Sequence, residues 1–346
     1  MVLLGWTQRD RVLAARNDFS QLYAGGMLAG SGRLYNEQAN LEAFRDTVGV
    51  SMEGVLYSRP PFYAAILKPL TLLPYIPAFW VFASLNLIAA IWFVVKFRPI
   101  SPELPIFAAF SLPLLASILN GQHTPLLLAI AGGGLLLSRS GRDREAGLLW
   151  SLLAIKFHLF LLLPVLLIVY RKWRVLQGGV VGGAVLALLS FAMEGASWVK
   201  EYAVLLMGSR LNPCTDCMPN LKGMANGSVP IEVGATILTV ALLVYILWRC
   251  PKFEIAFAAM IVAGLLLSQH AYIQDATILL LAFALFAGFS TFKPLRGLMA
   301  LALTPPLYLL LLAKAPYSAP VAAIYLVVLG LAALSVQKSS ASDLRT

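Results

Sequence analysis

The sequence predicts an all-α, polytopic integral membrane protein, and three observations carry that prediction. Of its 346 residues, 60% are hydrophobic and only 12% charged, about half the charged share of a soluble globular chain, too little to build a water-exposed surface. Apolar runs able to span, or nearly span, a hydrocarbon core of about 30 Å recur along the chain after residue 61. Arg and Lys gather in short clusters between those runs, where orientation signals fall. A net charge of +10 would suggest nucleic acid in a soluble protein; clustered this way it marks loops on one side of a membrane, and no nucleic-acid partner is expected.

Residues 1–60 read as a polar arm. Its start, MVLLGWTQRDRVLAARND, has too short an apolar run for a signal peptide or an anchor. Asp18 precedes an apolar-patterned stretch, Leu22 to Leu28, as an N-cap would, with Gln21 placed to reach back; the same Asp could serve as a general base. Around 61–73 a short amphipathic helix is expected at the membrane interface, with Tyr57, Tyr63 and Tyr75 as headgroup-level aromatics and Arg59 on a lipid phosphate or snorkelling to ordinary headgroups.

About nine full spans follow, near 75–95, 104–119, 124–138, 174–193, 229–248, 253–268, 272–290, 295–313 and 318–336. The stretch 146–170 is different, because Lys156 and His158 interrupt its middle and Arg residues stand just outside both ends. The positive-inside rule puts the loops with Lys96 and Arg98, Arg139 to Arg144, Arg171 to Arg174, Arg249 and Lys252, and Lys293 and Arg296 in the cytoplasm. The spans then alternate correctly only if 146–170 is a hairpin of two half-helices whose non-helical tip, Ala154 to His158, points outward. The transmembrane domain is thus 61–336, with an outer loop at 194–228 and a cytoplasmic tail at 337–346.

On this map the outer face receives all three histidines, His123, His158 and His270. The turn Asn120-Gly121-Gln122-His123-Thr124 joins two spans, and turn chemistry accounts for Asn-Gly but not for Gln122 and His123, which suit hydroxyl recognition. Lys156 at membrane depth is a functional candidate unless it snorkels to water. Asp275, one turn into a span, wants a partner, and His270 or Lys156 could be it; Gln269 stands beside His270. Arg210 and Asn212 flank Cys214-Thr215-Asp216-Cys217 in the outer loop. With no His near, that cluster is not a zinc site, and a disulfide and a pair of idle thiols both remain open. Cys250, at the cytoplasmic end of a span, is expected to be inert. No P-loop, dinucleotide fingerprint, GxSxG or HExxH occurs. No internal repeat is evident, which weighs against transporters built from two related halves.

The order of these residues resembles glycosyltransferase family 87. The likeness runs through Asn17-Asp18-Phe19 with Tyr23-Ala24-Gly25, Leu34-Tyr35, Pro60-Pro61-Phe62, Lys68-Pro69-Leu70 and Leu73-Pro74. It continues through Gly121-Gln122 with Leu126 to Leu128, Ala146-Gly147 to Lys156, Pro164, Arg171 to Arg174 and Ser268-Gln269-His270. It implies a type C glycosyltransferase fold in the cell membrane. It also implies a polyprenyl-phosphate sugar donor, mannose or another hexose, a glycolipid, glycan or protein acceptor on the outer face, and no cofactor or metal. By position the family's catalytic Asp matches Asp18, which would deprotonate the acceptor hydroxyl. Lys156, with Arg59 or Arg210, would bind the donor phosphate. Gln122, His123 and His270 would orient sugar or acceptor, with Asn120, His158, Gln269 and Asp275 completing the substrate site. Family members usually carry a membrane helix before that Asp, so either the native start lies upstream of Met1 or the arm is held outside in some other way; they often have Pro where Phe157 follows the hairpin lysine. Two other readings stand beside this one: a transporter of a lipid-linked saccharide or small solute, with paired charges at the midplane, and an assembly factor without catalysis, which would leave the outer His, Lys and Asp set unexplained.

Overall fold

The computed structural model describes residues 17–48, 56–208 and 214–343, and their regular structure is all helical. Four helices are long and apolar enough to cross a membrane: Tyr75–Phe97, Trp173–Glu194, Val229–Arg249 and Ala319–Lys338. Three bent pairs raise that to seven: Leu112–Leu119 with Thr124–Arg139, Asp143–Phe160 with Leu163–Val169, and Lys293–Leu301 with Pro305–Leu312, bent by 119°, 108° and 48°. Phe253–Leu267 and Ile273–Phe289 are apolar but shorter.

Several of the nine expected spans are therefore not single rods, and the breaks have local causes. The run 104–119 divides into Leu104–Ala109 and Leu112–Leu119, where the Ser111 hydroxyl accepts from the Leu114 amide at 3.3 Å and Pro113 takes an early helical position. The run 295–313 breaks before Pro305-Pro306. Phe253–Leu267 and Leu279–Phe289 are almost wholly buried at the centre of the bundle. The long helices around them expose large apolar side chains, such as Leu188 at 69% and Trp248 at 73%, a surface that lipid covers and water does not.

The hairpin forms, with a different tip. Asp143–Ser151 lies so close to Trp173–Glu194 that a Cβ on Gly147 would sit 1.9 Å from the Val175 carbonyl oxygen, and one on Gly178 2.0 Å from that of Arg144. Leu152–Lys156 is wound as a 3-10 turn, and Phe157–Phe160 is a single α-helical turn. The backbone leaves the helical region at Lys156 (φ −128°, ψ 59°), and the 108° bend falls between Phe160 and Leu163. The expected tip, Ala154 to His158, is thus largely wound, and the change of direction comes after it. An apolar groove of about 430 Å³ opens on the hairpin's flank against Trp173–Glu194, lined among others by Leu153, Phe157, Leu161, Pro164 and Val180.

The described part of the arm is pinned to the bundle. Phe19–Leu28 and Glu37–Val48 pack together, and the Phe19 amide donates to the Asn120 carbonyl at 3.1 Å. Gly121 makes that approach possible: its φ is +65°, and a Cβ there would lie 2.4 Å from the Phe19 Cβ. The Gly30 amide donates to Glu194 at 2.7 Å, and the Tyr75 hydroxyl to Asn17 Oδ1 at 2.8 Å.

This docking corrects the interfacial reading of 61–73. Pro61–Leu67 is largely buried, and only the following 3-10 turn, Lys68–Leu72, stays at the surface. Tyr57, Tyr63 and Tyr75 are buried under the arm and the Asn120–Thr124 turn, not set at headgroup level. Arg59 is buried with them and does not snorkel.

The basic loops share one end of the bundle. Arg139 pairs with Glu254 and lies over the Phe289 ring, Lys172 reaches Ser138 and the Phe253 ring, and Lys252 donates to the Phe289 carbonyl. Lys338 lies over Phe292, and Arg296 faces Glu103. None of these contacts involves the outer-face candidates.

Candidate active site

Asp18 stands at the first turn of Phe19–Leu28 but does not cap it. Its backbone is already helical (φ −70°, ψ −17°) and its carboxylate makes no capping bond. Asn17 Oδ1 accepts from the Phe19 amide instead, and Gln21 Oε1 accepts from the Ser58 hydroxyl. The Asp18 side chain turns into the bundle. Gln122 Nε2 donates to its Oδ2 at 2.7 Å, and Gln274 Nε2 donates to the same oxygen at 3.2 Å. Asp18 is partly exposed, while Gln122, Gln274, Lys156 and Asp275 around it are buried. Desolvation by this surround pushes the carboxyl above its ordinary value, against the Gln122 hydrogen bond and the Lys156 and Arg59 charges, which draw it down.

Lys156 is the best-satisfied cation near Asp18. Its Nζ donates to Gln122 Oε1 at 3.0 Å, Thr124 Oγ1 at 3.4 Å and Asp275 Oδ1 at 2.5 Å. Three acceptors use all three ammonium protons, and with 1% of its side chain exposed the residue does not snorkel. Of the two partners expected for Asp275, Lys156 is the one it takes. Asp275 Oδ2 also accepts from the Tyr272 amide at 3.0 Å, which locks the 3-10 turn Ile273–Ile278. A donor phosphate would have to break this pairing to reach Lys156, so the expected phosphate role does not fit its surroundings.

Arg59 is the opposite case. It too is buried, yet no carboxylate among the described residues pairs with it. Nη1 donates to the Ser58 carbonyl and hydroxyl at 3.0 and 2.9 Å, and Nε has no hydrogen-bond partner. Further polar atoms are left over nearby. Neither ring nitrogen of His123 has a partner, nor has the hydroxyl of Tyr63, against whose ring His123 packs edge-on at 5.0 Å. His158 Nδ1 meets the Ser268 hydroxyl at 2.8 Å. That hydroxyl's one proton goes to the His270 carbonyl at 2.9 Å, so Nδ1 is the donor, and Nε2 of a neutral His158 is an acceptor with nothing to accept from. Buried orphans of this number mark a place where a polar ligand is missing from the account.

The remaining candidates fall at the edge. His270 packs edge-on to His158 and Tyr272 at 5.9 and 5.2 Å. Gln269 is exposed. Asn120 contributes its carbonyl, which holds the arm. Arg210 and Asn212 lie outside the described residues. Cys214 and Cys217 are joined in a disulfide, which resolves the alternative left open above. The Tyr272 hydroxyl lies 3.4 Å from the Cys214 amide. Gln274, absent from the sequence reading, is a full member of the site; its one signal was its place beside Asp275. Thr124 was quoted only as part of the turn.

The sequence model of Glycosyltransferase family 87 matches residues 57–269. The chain belongs to glycosyltransferase family 87. The match takes in Arg59, the Asn120–Thr124 turn, the hairpin and His158, and stops before Asp275; Asp18 lies ahead of it. As a family 87 member the protein is a membrane glycosyltransferase with a sugar donor and an acceptor. No curated protein and no solved structure matches it.

Proposed function

We propose that this family 87 enzyme moves a hexose, mannose being the first candidate, from a polyprenyl phosphate to an acceptor hydroxyl on the outer face of the cell membrane. The observation that carries the reading is a partly exposed carboxylate, Asp18, within the electrostatic reach of a buried guanidinium, Arg59, that no carboxylate among the described residues pairs with. A planar fork of N–H donors without a carboxylate suits a phosphate. The groove beside the hairpin, wholly apolar along the side chains named, suits an isoprenoid chain. The outer face is supported by the basic loops, which meet at the other end of the bundle.

In the step proposed, the acceptor oxygen attacks the anomeric carbon as the bond from that carbon to the phosphate oxygen breaks. Asp18 takes the acceptor's proton, the electron pair leaves on the polyprenyl phosphate, and Arg59 stabilises the charge that gathers there. A single displacement inverts the anomeric configuration. The histidine and tyrosine orphans would bind sugar or acceptor hydroxyls.

Asp18→Asn tests the base, because an amide cannot take the proton. Transfer from a radiolabelled polyprenyl-phosphate hexose should fall by about 10²-fold or more while donor binding persists, and near-normal transfer would remove Asp18 from the chemistry. The face is tested by single cysteines at the exposed Gln269 and Arg142 in a background lacking Cys214, Cys217 and Cys250. In intact cells an impermeant thiol reagent should label only the first, and labelling at 142 would reverse the orientation.

A further inference from the structure

The bonds around Asp18 close into a ring. Asp18 is bonded to Gln122, Gln122 to Lys156, Lys156 to Asp275, and the chain steps back one residue from Asp275 to Gln274, whose amide returns to Asp18. We propose that Gln122 and Gln274 are positioning residues that together occupy Oδ2 of Asp18 and reserve Oδ1 for the acceptor hydroxyl, with the Lys156–Asp275 pair holding the Gln122 amide in the one orientation that can do so. The proposal rests on the reading of Asp18 as the base.

The orientation follows from chemistry alone. An ammonium carries only donors, so the end of the Gln122 side chain facing Lys156 must be the carbonyl oxygen. The other end is then the NH2 group, and it faces Asp18. An ionised carboxylate only accepts, so the arrangement fits the form of Asp18 that can take a proton. Were the Gln122 amide free to turn over, its oxygen would face the carboxylate and repel it. Gln274 reaches the same oxygen from a different direction. Its own backbone is fixed, because the Ser117 hydroxyl donates to its carbonyl at 3.0 Å, and Asp275 beside it anchors the turn to Lys156. With both amides on Oδ2, Oδ1 is the oxygen that carries no hydrogen bond from the described residues. Lys156 accordingly acts on the base through Gln122 and leaves the phosphate to other groups.

The test compares kcat, donor KM and the pH profile of transfer for Gln274→Met, Lys156→Met and Asp18→Asn in the purified full chain, with melting temperature as a folding control. Gln274→Met keeps the length of the side chain and removes one donor to the ionised carboxylate. Its kcat should fall roughly ten- to a hundredfold, the scale of a hydrogen bond to a charged group, with donor KM within about twofold. A donor to the ionised form lowers a carboxyl pKa, so its loss should move the acidic limb of the kcat profile to higher pH. A merely structural role would leave that limb in place. Lys156→Met should likewise lower kcat at constant donor KM; a raised KM with unchanged kcat would make it a phosphate ligand and overturn its part. Where Lys156→Met fails to fold, Lys156→Arg should keep kcat near the parent's, because a guanidinium also presents only donors to Gln122, and a raised donor KM in it would overturn the part given to Lys156. Loss of transfer in Asp18→Asn together with an unmoved limb and normal kcat in Gln274→Met would overturn this proposal and spare the base. Normal transfer in Asp18→Asn would overturn both.

Discussion

Arg59 and Lys156 are both buried, 5% and 1% exposed, and both act electrostatically on Asp18, yet the protein treats them in opposite ways. Lys156 arrives on the hairpin, meets a carboxylate, an amide oxygen and a hydroxyl, and is fully used. Arg59 arrives on the segment leading to Pro61, finds the carbonyl and hydroxyl of its neighbour Ser58, and keeps an unpartnered Nε. A buried charge costs several kcal/mol unless it is paired, so a guanidinium with no carboxylate partner among the described residues is the one proposed above for the donor phosphate. Depth in the membrane alone does not identify a ligand-binding charge; the number of acceptors the protein itself provides does.

The comparison breaks most sharply on stability. Lys156→Met or Asp275→Asn should each strand a buried charge or leave its partner unpaired, lowering stability by about 3–5 kcal/mol. The double variant Lys156→Met with Asp275→Leu should recover a good part of that, since replacing both members of a buried pair by apolar groups is often near neutral. Detergent-solubilised melting measures it, and single variants as stable as the parent would make the pair incidental. Arg59→Met should leave the melting temperature close to the parent's, because no carboxylate among the described residues is orphaned.

Smaller in free energy, but more telling for function, is the effect of Arg59→Met on the donor. Affinity for a polyprenyl-phosphate hexose should weaken by roughly 10- to 100-fold, the worth of a charge-assisted bond to phosphate, and Arg59→Lys should restore only part. The smallest effect is on pH. Arg59 is one of the charges drawing the Asp18 carboxyl down, so its removal should raise that pKa further and move the acidic limb of transfer to higher pH. Unchanged donor affinity would return Arg59 to a structural cation.

Much of this was legible in the sequence. The tight turn at Asn120–Thr124 was readable because Asn-Gly before Thr-Pro has few other uses. The hairpin was readable because Arg residues at both ends of 146–170 forbid one straight crossing. The Asp18 cap failed for a physical reason: capping is a local bond of about 1 kcal/mol, and two amides from distant turns outcompete it once the arm docks. The three tyrosines were misplaced because aromatic residues near an interface look the same whether they face headgroups or a docking arm. Gln274 was missed because an amide inside an apolar run carries no periodic signal and acquires meaning only from what it faces.

The sequence by itself determined that the chain is helical and membrane-embedded, that its charges collect in loops, and which residues could carry chemistry, because hydropathy, charge clusters and turn residues act over a few neighbours. Only the tertiary structure decided who meets whom. Asp18 and Gln274 are 256 positions apart, and Lys156 and Asp275 119 apart. Nothing local encodes such a pairing; it exists because packing in a medium without water forces each buried donor to find an acceptor within reach. That requirement joined Asp18 to its two amides, satisfied Lys156 and left Arg59 Nε without a partner among the described residues.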